Sequence, residues 1–275
     1  MCTPQNEPLV SAIMGVRYRV EDLMPLERAV QSILDQSYKN LELLICEYDS
    51  TAPAKTWLAK LARQDDRVRL LQGREPGCLP QNLNDCLVAA KGIYVARMDD
   101  DDFSCSERLK KQVAYLDAHP EIAFVGCNAA LYRAGAQVGQ RTFPEFPSTR
   151  DFYVTQPFLH PALVFRREAL NVVNWYSEDK RCVLCEDYDL LLRLYAEGFQ
   201  GANLQEVLIE YTLPATAKGN RTMGHRWNET VTRYRRFRDL KVLPGALPWV
   251  VKPLIVGFMP ESLLSKLKKQ CGTGG

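Results

Sequence analysis

No stretch of this 275-residue chain reaches the roughly 18 uninterrupted apolar residues that a membrane-spanning helix needs. Its opening, MCTPQNEPLVSAIM, has neither a basic start nor a long apolar segment before a small-residue cleavage site. No secretory leader is therefore expected, and the cytoplasm is the expected compartment. An excess of one charge is missing as well: a formal net charge of +2 points neither toward nucleic acid nor away from it. Nine cysteines, an odd number scattered from Cys2 to Cys271, do not form the framework of a small disulfide-bonded domain. Cys182 and Cys185 have C-x-x-C spacing, but no second pair or histidine cluster completes a zinc site, so two partly buried thiols are the simpler reading. Also absent is a G-x-x-x-x-G-K run near the first apolar segment, where Gly15 stands alone. That omission disfavours a P-loop and weakens nucleotidyl transfer as an activity.

What is present is enough apolar material, 46% of residues, to bury a full core. LVSAIM, ending at Met14, reads as a buried strand, and LELLIC, ending at Cys46, as another. Between them Leu26, Ala29, Val30, Ile33 and Leu34 recur at helical steps. A helix over Trp57 to Ala62, a strand over Val68 to Leu71, a helix carrying Leu79, Leu83, Leu87 and Ala90, and a strand from Ile93 to Met98 continue the alternation. A helix near Glu107 to Ala118 and a strand ending at Cys127 complete it, and the Pro- and Gly-bearing stretch from Gly135 to Pro147 reads as a linker. The pattern predicts an α/β fold with a mostly parallel central sheet and helices on both faces. Ligands of such sheets bind beyond the carboxyl ends of the strands, after Met14, Cys46 and Met98.

Four aspartates, Asp99 to Asp102, follow Met98 directly. Their mutual repulsion calls for a cation or hydrogen-bond donors, and magnesium or manganese shared with a diphosphate would serve. A solvated acidic turn capping a helix near Ser106 is the plainer alternative. In EDYDLLLRLYAEG, Glu186, Asp187 and Asp189 open a run of helical periodicity. They can stabilise the helix dipole, or one can act as a general base in a pocket wall. His160, in PFLHPALVFRR, is either structural or a polar residue near an acceptor.

Taken in order, the blocks LVSAIMGVRYRVEDLMPLERAVQSILDQSYKNLELLICEYDST, GCLPQNLNDCLVAAKGIYVARMDDDDFSCSERLKKQ, HPEIAFVGCN, QPFLHPALVFRRE and EDYDLLLRLYAEG resemble the family 2 glycosyltransferases over about residues 9–211. The resemblance implies a GT-A fold in which a nucleotide-diphosphate sugar, with a UDP-sugar as the expectation, binds the first half and a saccharide acceptor the second. The implied domain runs over 1–215, with a donor-binding half to about 130 and an acceptor-binding half over 131–215. The family's D-x-D-D motif maps onto Asp99, Asp101 and Asp102. Asp99 would approach ribose or phosphate, Asp101 would hold Mn2+ or Mg2+, Asp102 would support the cluster, and Asp100 takes the variable place. Asp187 would take the proton of the attacking hydroxyl, with Glu186 positioning it, and direct displacement would invert the anomeric carbon.

Two departures stand out. Where the family commonly has two aspartates before Gly-Ser-Thr, this chain has Glu47, Tyr48 and Asp49 before Ser50 and Thr51. Tyr48 can stack on a nucleotide base, and Glu47 or Asp49 can supply the missing acceptor. Gly15 and Arg17 replace the usual residues after the first strand; Arg17 can meet phosphate or water, while Arg97 is the better internal partner for the acidic run.

Beyond Tyr211 the chain turns basic, with Lys218, Arg221, Arg226, Arg233, Arg235, Arg236, Arg238 and Lys241, followed by the apolar, Pro-broken LPWVVKPLIVGFMPESLLSKLKK. Residues 216–275 are expected as a helical extension. It would lie on an anionic membrane face or meet a pyrophosphate-bearing, lipid-linked acceptor of a surface polysaccharide, or simply pack on the domain through Trp249, Leu254, Ile255 and Phe258. No nucleic-acid partner is expected. A non-catalytic sugar- or lipid-binding protein is the rival reading, favoured by the altered EYDST segment and opposed by intact Asp101 and Asp187.

Overall fold

The computed structural model describes residues 7–74, 76–182, 184–214 and 222–259. The first half runs β1 (Val10–Val16), α1 (Met24–Leu34), β2 (Leu41–Glu47), α2 (Ala52–Gln64), β3 (Val68–Gln72), α3 (Leu79–Ala89), β4 (Tyr94–Arg97), β5 (Phe103–Ser104) and α4 (Arg108–Ala118). The second half runs β6 (Ile122–Arg133), β7 (Ala136–Arg141), α5 (Asp151–Val154), β8 (Val164–Arg166), α6 (Arg167–Val172), α7 (Glu186–Ala196), β9 (Gln200–Thr212), α8 (Met223–Asp239) and α9 (Leu247–Phe258).

The strands join one sheet in the order β3-β2-β1-β4-β8-β6-β9-β5, with β7 paired to β6. β1 is parallel to both β2 and β4, and β2 to β3. Every residue of β1 and β2 is buried, as continuous apolar runs of parallel strands require. Alternate residues serve opposite faces: Val10, Ala12 and Met14 pack with Leu26, Val30 and Ile33 of α1, while Ile13 packs with Leu83 and Leu87 of α3. Proline in the first turn starts α1, α2, α3 and α9, where its missing N–H costs nothing.

In the second half the pairing becomes mixed: β8 is antiparallel to β4 and β6, whereas β6 and β9 are parallel. The stretch expected as a linker begins instead with a strand. Ala134 and Gly135, at φ 50° and 80°, close a tight hairpin that lays β7 antiparallel along β6. Its sequence, AQVGQR, is mostly exposed and shows little apolar alternation, which is why the pattern does not announce it.

Over its described residues, 222–259, the C-terminal extension is helical and packs on the domain. Phe237, Ala246 and Val250 enter the same core as Leu190, Leu191 and Leu194 of α7. Asp189, only 1% exposed, receives Arg193 of its own helix at 2.8 Å and Arg236 of α8 at 2.7 Å, tying α7 to α8. Trp249 and Leu254 are partly buried, but Ile255 and Phe258 are exposed rather than core. Lys218, Arg221 and the end of the tail from residue 260 lie outside the described residues. Among the described residues no helix is long and apolar enough to cross a membrane.

Candidate active site

The chain passes from β1 outward to β2 and β3, then returns to β4 on the other side of β1. This reversal opens a crevice at the carboxyl ends of β1, β2 and β4. The loops after β1 and β2 are laced together there: Ser50 Oγ accepts from the Tyr18 amide at 2.9 Å, and the Thr51 amide donates to Tyr18 O at 2.9 Å. Asp49 turns the second loop at φ 55° and holds Arg17 at 3.0 Å and also Arg19. Arg17 thus has an internal carboxylate partner, and its guanidinium lies 6.0 Å from the Tyr48 ring. Glu47 is buried, accepts from the Ser50 amide at 3.0 Å and faces Lys55 at 3.8 Å, so its carboxylate organises the loop. Tyr48 is also buried, and the charges of Asp100 and Glu186 both reach it. A side chain at Gly73 would collide with Asn82 and come within 2.7 Å of Tyr48 Cβ, so glycine there admits the close packing around Tyr48.

The acidic run is clamped from two sides. Arg97, fully buried at the end of β4, pairs with Asp99. Burial works against the Arg97 charge, but its acidic neighbours outweigh that and raise its pKa. Behind it Arg108, also fully buried, donates to Pro161 O at 2.8 Å and Arg97 O at 3.3 Å. On the far side Thr212, at the end of β9, donates its amide to Asp102 at 2.8 Å and its hydroxyl to Asp101 O at 2.5 Å. Asp102 is therefore a buried strut, and its second carboxylate oxygen has no hydrogen-bond partner among the described residues.

Burial and then the neighbouring carboxylates push Asp100 up to about 7. Asp101 is exposed as a residue, yet partial burial of its carboxyl, followed by the Asp99 charge, pushes it up to about 6. Asp102 is also raised, by burial first. Among the described residues no three His, Cys, Asp or Glu converge as a ready metal cage. The residues do fit an ion shared with a ligand. Asp99 and Asp101 are partly open, excess negative charge surrounds them, and magnesium commonly takes only one or two protein carboxylates beside substrate phosphates.

Beside the acidic loop lies a cavity of about 520 Å³ lined by Asp99, His160, Glu186 and Asp187 among others. Glu186 and Asp187 enter it from the first turn of α7, preceded by Leu184 in the left-handed region at φ 62°. Asp187 accepts from Gln156 Nε2 at 3.0 Å and from the Tyr188 amide at 2.7 Å. Burial, then the Asp187 charge, pushes Glu186 up to about 7. His160 is hydrogen-bonded to the Tyr176 hydroxyl at 2.8 Å; burial and then Arg97 hold its pKa far below the ordinary value, so it is neutral. Asp100 to Asp102 of the acidic run, and Arg17, Glu47, Tyr48 and Asp49 at the ends of β1 and β2, are outside this cavity's lining.

Sequence reasoning missed the cavity's remaining wall. Arg226, Glu229 and Arg233 of α8, with Lys252, Pro253 and Val256 of α9, line the same cavity as the carboxylates. The i, i+3, i+7 spacing of Arg226, Glu229 and Arg233 was the available signal, since it puts all three on one helical face.

A profile of the family described as Glycosyl transferase family 2 matches residues 20–173. The chain belongs to this family. It is 35% identical over 265 residues to the putative glycosyltransferase EpsE of Bacillus subtilis, covering 96% of this chain and 94% of that one. It is 32% identical over 197 residues to the amylovoran biosynthesis glycosyltransferase AmsE of Erwinia amylovora, covering 69% and 71%. In structure it is similar to the mannosyltransferase PcManGT of Pyrobaculum calidifontis, solved with GDP-Man and Mn2+, at TM-score 0.62 and 19% identity, covering 98% of this chain and 82% of that one. It also resembles S. aureus TarS 1-349, solved with UDP-GlcNAc, at TM-score 0.63 and 16% identity, covering 88% and 72%. The expected GT-A architecture is the one observed.

Proposed function

We propose that the protein is a metal-dependent, inverting glycosyltransferase that moves a sugar from a nucleotide-diphosphate donor, a UDP-sugar by expectation, to a saccharide carried on lipid during surface-polysaccharide assembly. The observation that carries this reading is the shared cavity of Asp99, Glu186 and Asp187, which brings the acidic strand-end loop next to a pair of carboxylates on a helix start. Residues up to about 130 serve the donor and 131–215 the acceptor, and α8 and α9 of the extension border the acceptor side.

In this reading the nucleoside lies against Tyr48 and the loops held by Glu47, Asp49 and Arg17, and the diphosphate lies over Asp99 to Asp101. Asp101 and Asp99 hold Mn2+ or Mg2+, with Asp102 supporting the loop and Asp100 beside it. An ion held there would supply positive charge to offset the negative charge developing on the departing nucleotide diphosphate. Asp187, oriented by Gln156, removes the proton from the acceptor hydroxyl as that oxygen attacks the anomeric carbon. A single displacement inverts that carbon, and only one base is needed. Glu186, held near neutrality, is partly protonated and keeps Asp187 from facing a second full negative charge. Neutral His160 lines the acceptor side as a hydrogen-bonding group, not an acid.

PcManGT was solved with a nucleotide sugar and Mn2+, and TarS 1-349 with a nucleotide sugar, which supports the donor class. Relatives that include an O-antigen biosynthesis glycosyltransferase, 29% identical over 213 residues, support the polysaccharide setting. The protein works on the inner face of the cytoplasmic membrane, touching it through the exposed Leu247, Val251, Ile255 and Phe258 of α9. Calorimetric titration of a nucleotide-sugar panel, with and without manganese, tests the donor site. Manganese-dependent binding of one donor, lost in Asp101→Asn, is expected; failure of every donor to bind defeats the proposal.

A further inference from the structure

The cavity is lined by carboxylates, Asp99, Glu186, Asp187 and Glu229, and by cations, of which Arg97 and Arg141 come from the sheet and Arg226, Arg233 and Lys252 from α8 and α9. Arg233 is accounted for internally: it pairs with Glu229 at 3.1 Å, lies 4.8 Å from the centre of the Tyr188 ring and donates to Tyr153 O at 2.9 Å. Arg226 and Lys252 have no such ion pair, although Lys252 Nζ lies 5.7 Å from the centre of the Trp249 ring. Among the described residues neither has a carboxylate within ion-pair distance, and their hydrogen bonds run to main-chain oxygens, Pro253 O at 3.4 Å and Val154 O at 2.5 Å. Lys252 is half-enclosed, and burial, followed by the Arg233 charge, lowers its pKa. Two cations lining a cavity, crowded by a third and, among the described residues, outside ion-pair distance of any carboxylate, with Glu229 only partly offsetting the repulsion at Lys252, are an arrangement that a bound anion stabilises.

They share the cavity with Asp99 but are anchored differently from the donor loop. Lys252 is bonded at Val154 and Asp187 at Gln156, so the short segment 154–156 carries the proposed base and the cation on neighbouring residues. The acidic loop is instead anchored by Arg97 and Thr212. The cations therefore stand on the side from which the acceptor reaches Asp187. α9 also presents two faces. Lys252, Pro253 and Val256 look into the cavity, while Leu247, Val251, Ile255 and Phe258, at steps of four, four and three, form an exposed apolar stripe beside it.

We infer that Arg226 and Lys252 form an anion subsite for a phosphate group carried by the acceptor, next to the sugar whose hydroxyl is glycosylated. This rests on the glycosyl-transfer reading and adds the charge of the acceptor to it. The test is titration of the full chain, in EDTA, with glucose 1-phosphate and with uncharged methyl glucoside. The phosphate binds and the glucoside does not. Arg226→Gln and Lys252→Gln each weaken binding about tenfold, the loss expected for one charge-assisted contact, and Arg226→Lys retains most of it. Manganese-dependent nucleotide-sugar binding survives in both glutamine variants.

Neutral phosphatidylcholine vesicles, with and without polyprenyl phosphate, separate the sources of the group. Arg226-dependent binding to the loaded vesicles assigns a lipid-borne phosphate, and binding confined to the free sugar phosphate assigns a soluble one. Equal phosphate binding by wild type and both glutamine variants, or none by wild type, overturns the subsite. So does loss of nucleotide-sugar binding in Arg226→Gln, which would put the cation under the donor diphosphate. Because the phosphate titration is done without metal or nucleotide, its failure is distinct from failure of the donor reading.

Discussion

Replacing Glu186 with glutamine should make the protein more stable and less active, with a pH dependence that identifies the cause. Burial, then Asp187, raises Glu186 from an ordinary 4.5 to about 7, so the folded state holds its proton more tightly than the unfolded chain does. Stability from this group is fully present below the unfolded value of 4.5 and is lost as the pH rises through about 7. The rise from 4.5 to about 7 corresponds to a ceiling of about 3 kcal/mol at pH 8. Partial solvent access reduces that, so about 1–3 kcal/mol is the expected gain of Glu186→Gln at pH 8 in metal-free buffer. In a chain of this size each kcal/mol moves the melting temperature by about 2–4 °C. Urea or thermal unfolding of both proteins between pH 5 and 8 measures it: the curves should converge toward pH 5 and separate toward pH 8. A glutamine variant that is equally stable or less stable at pH 8 would refute a desolvated, repelled carboxylate at this position.

Three further outcomes follow from the packing. Asp189→Asn removes the buried carboxylate that both Arg193 and Arg236 share, and should cost about 3 kcal/mol, seen as a lower urea midpoint; a loss under about 1 kcal/mol contradicts the tie between α7 and α8. Gly73→Ala drives a methyl group against Asn82 and Tyr48, and should destabilise by about 1–3 kcal/mol while weakening nucleotide-sugar binding. Unchanged donor affinity in that variant would remove Tyr48 from the donor site. Ile255→Asp with Phe258→Asp should abolish flotation with anionic vesicles without lowering the urea midpoint, since both side chains are exposed; full retention on vesicles would dismiss the α9 stripe as a membrane face.

The continuous runs at β1, β2 and β4 were legible because a parallel strand buried on both faces leaves no polar alternation to confuse the pattern. The order of the blocks from LVSAIM to EDYDLLL carried the family. β7 was hidden because an exposed edge strand carries little apolar signal. The support beneath the acidic run was hidden for a different reason: Asp102 meets the Thr212 amide and Arg108 reaches Pro161, pairings that only the closed sheet brings together. The basic extension was legible as helix and cation. Which cations face the cavity is decided by how α8 docks on α7, and the Asp189–Arg236 bond that fixes this is not inscribed in either segment alone.

The most direct test of the account is Asp187→Asn in two assays on one preparation. Nucleotide-sugar binding with manganese should persist, while turnover, followed as release of the nucleoside diphosphate, should fall by about 10²–10⁴-fold, the range for loss of a general base. Turnover equal to wild type would contradict Asp187 as the base and with it the proposed mechanism.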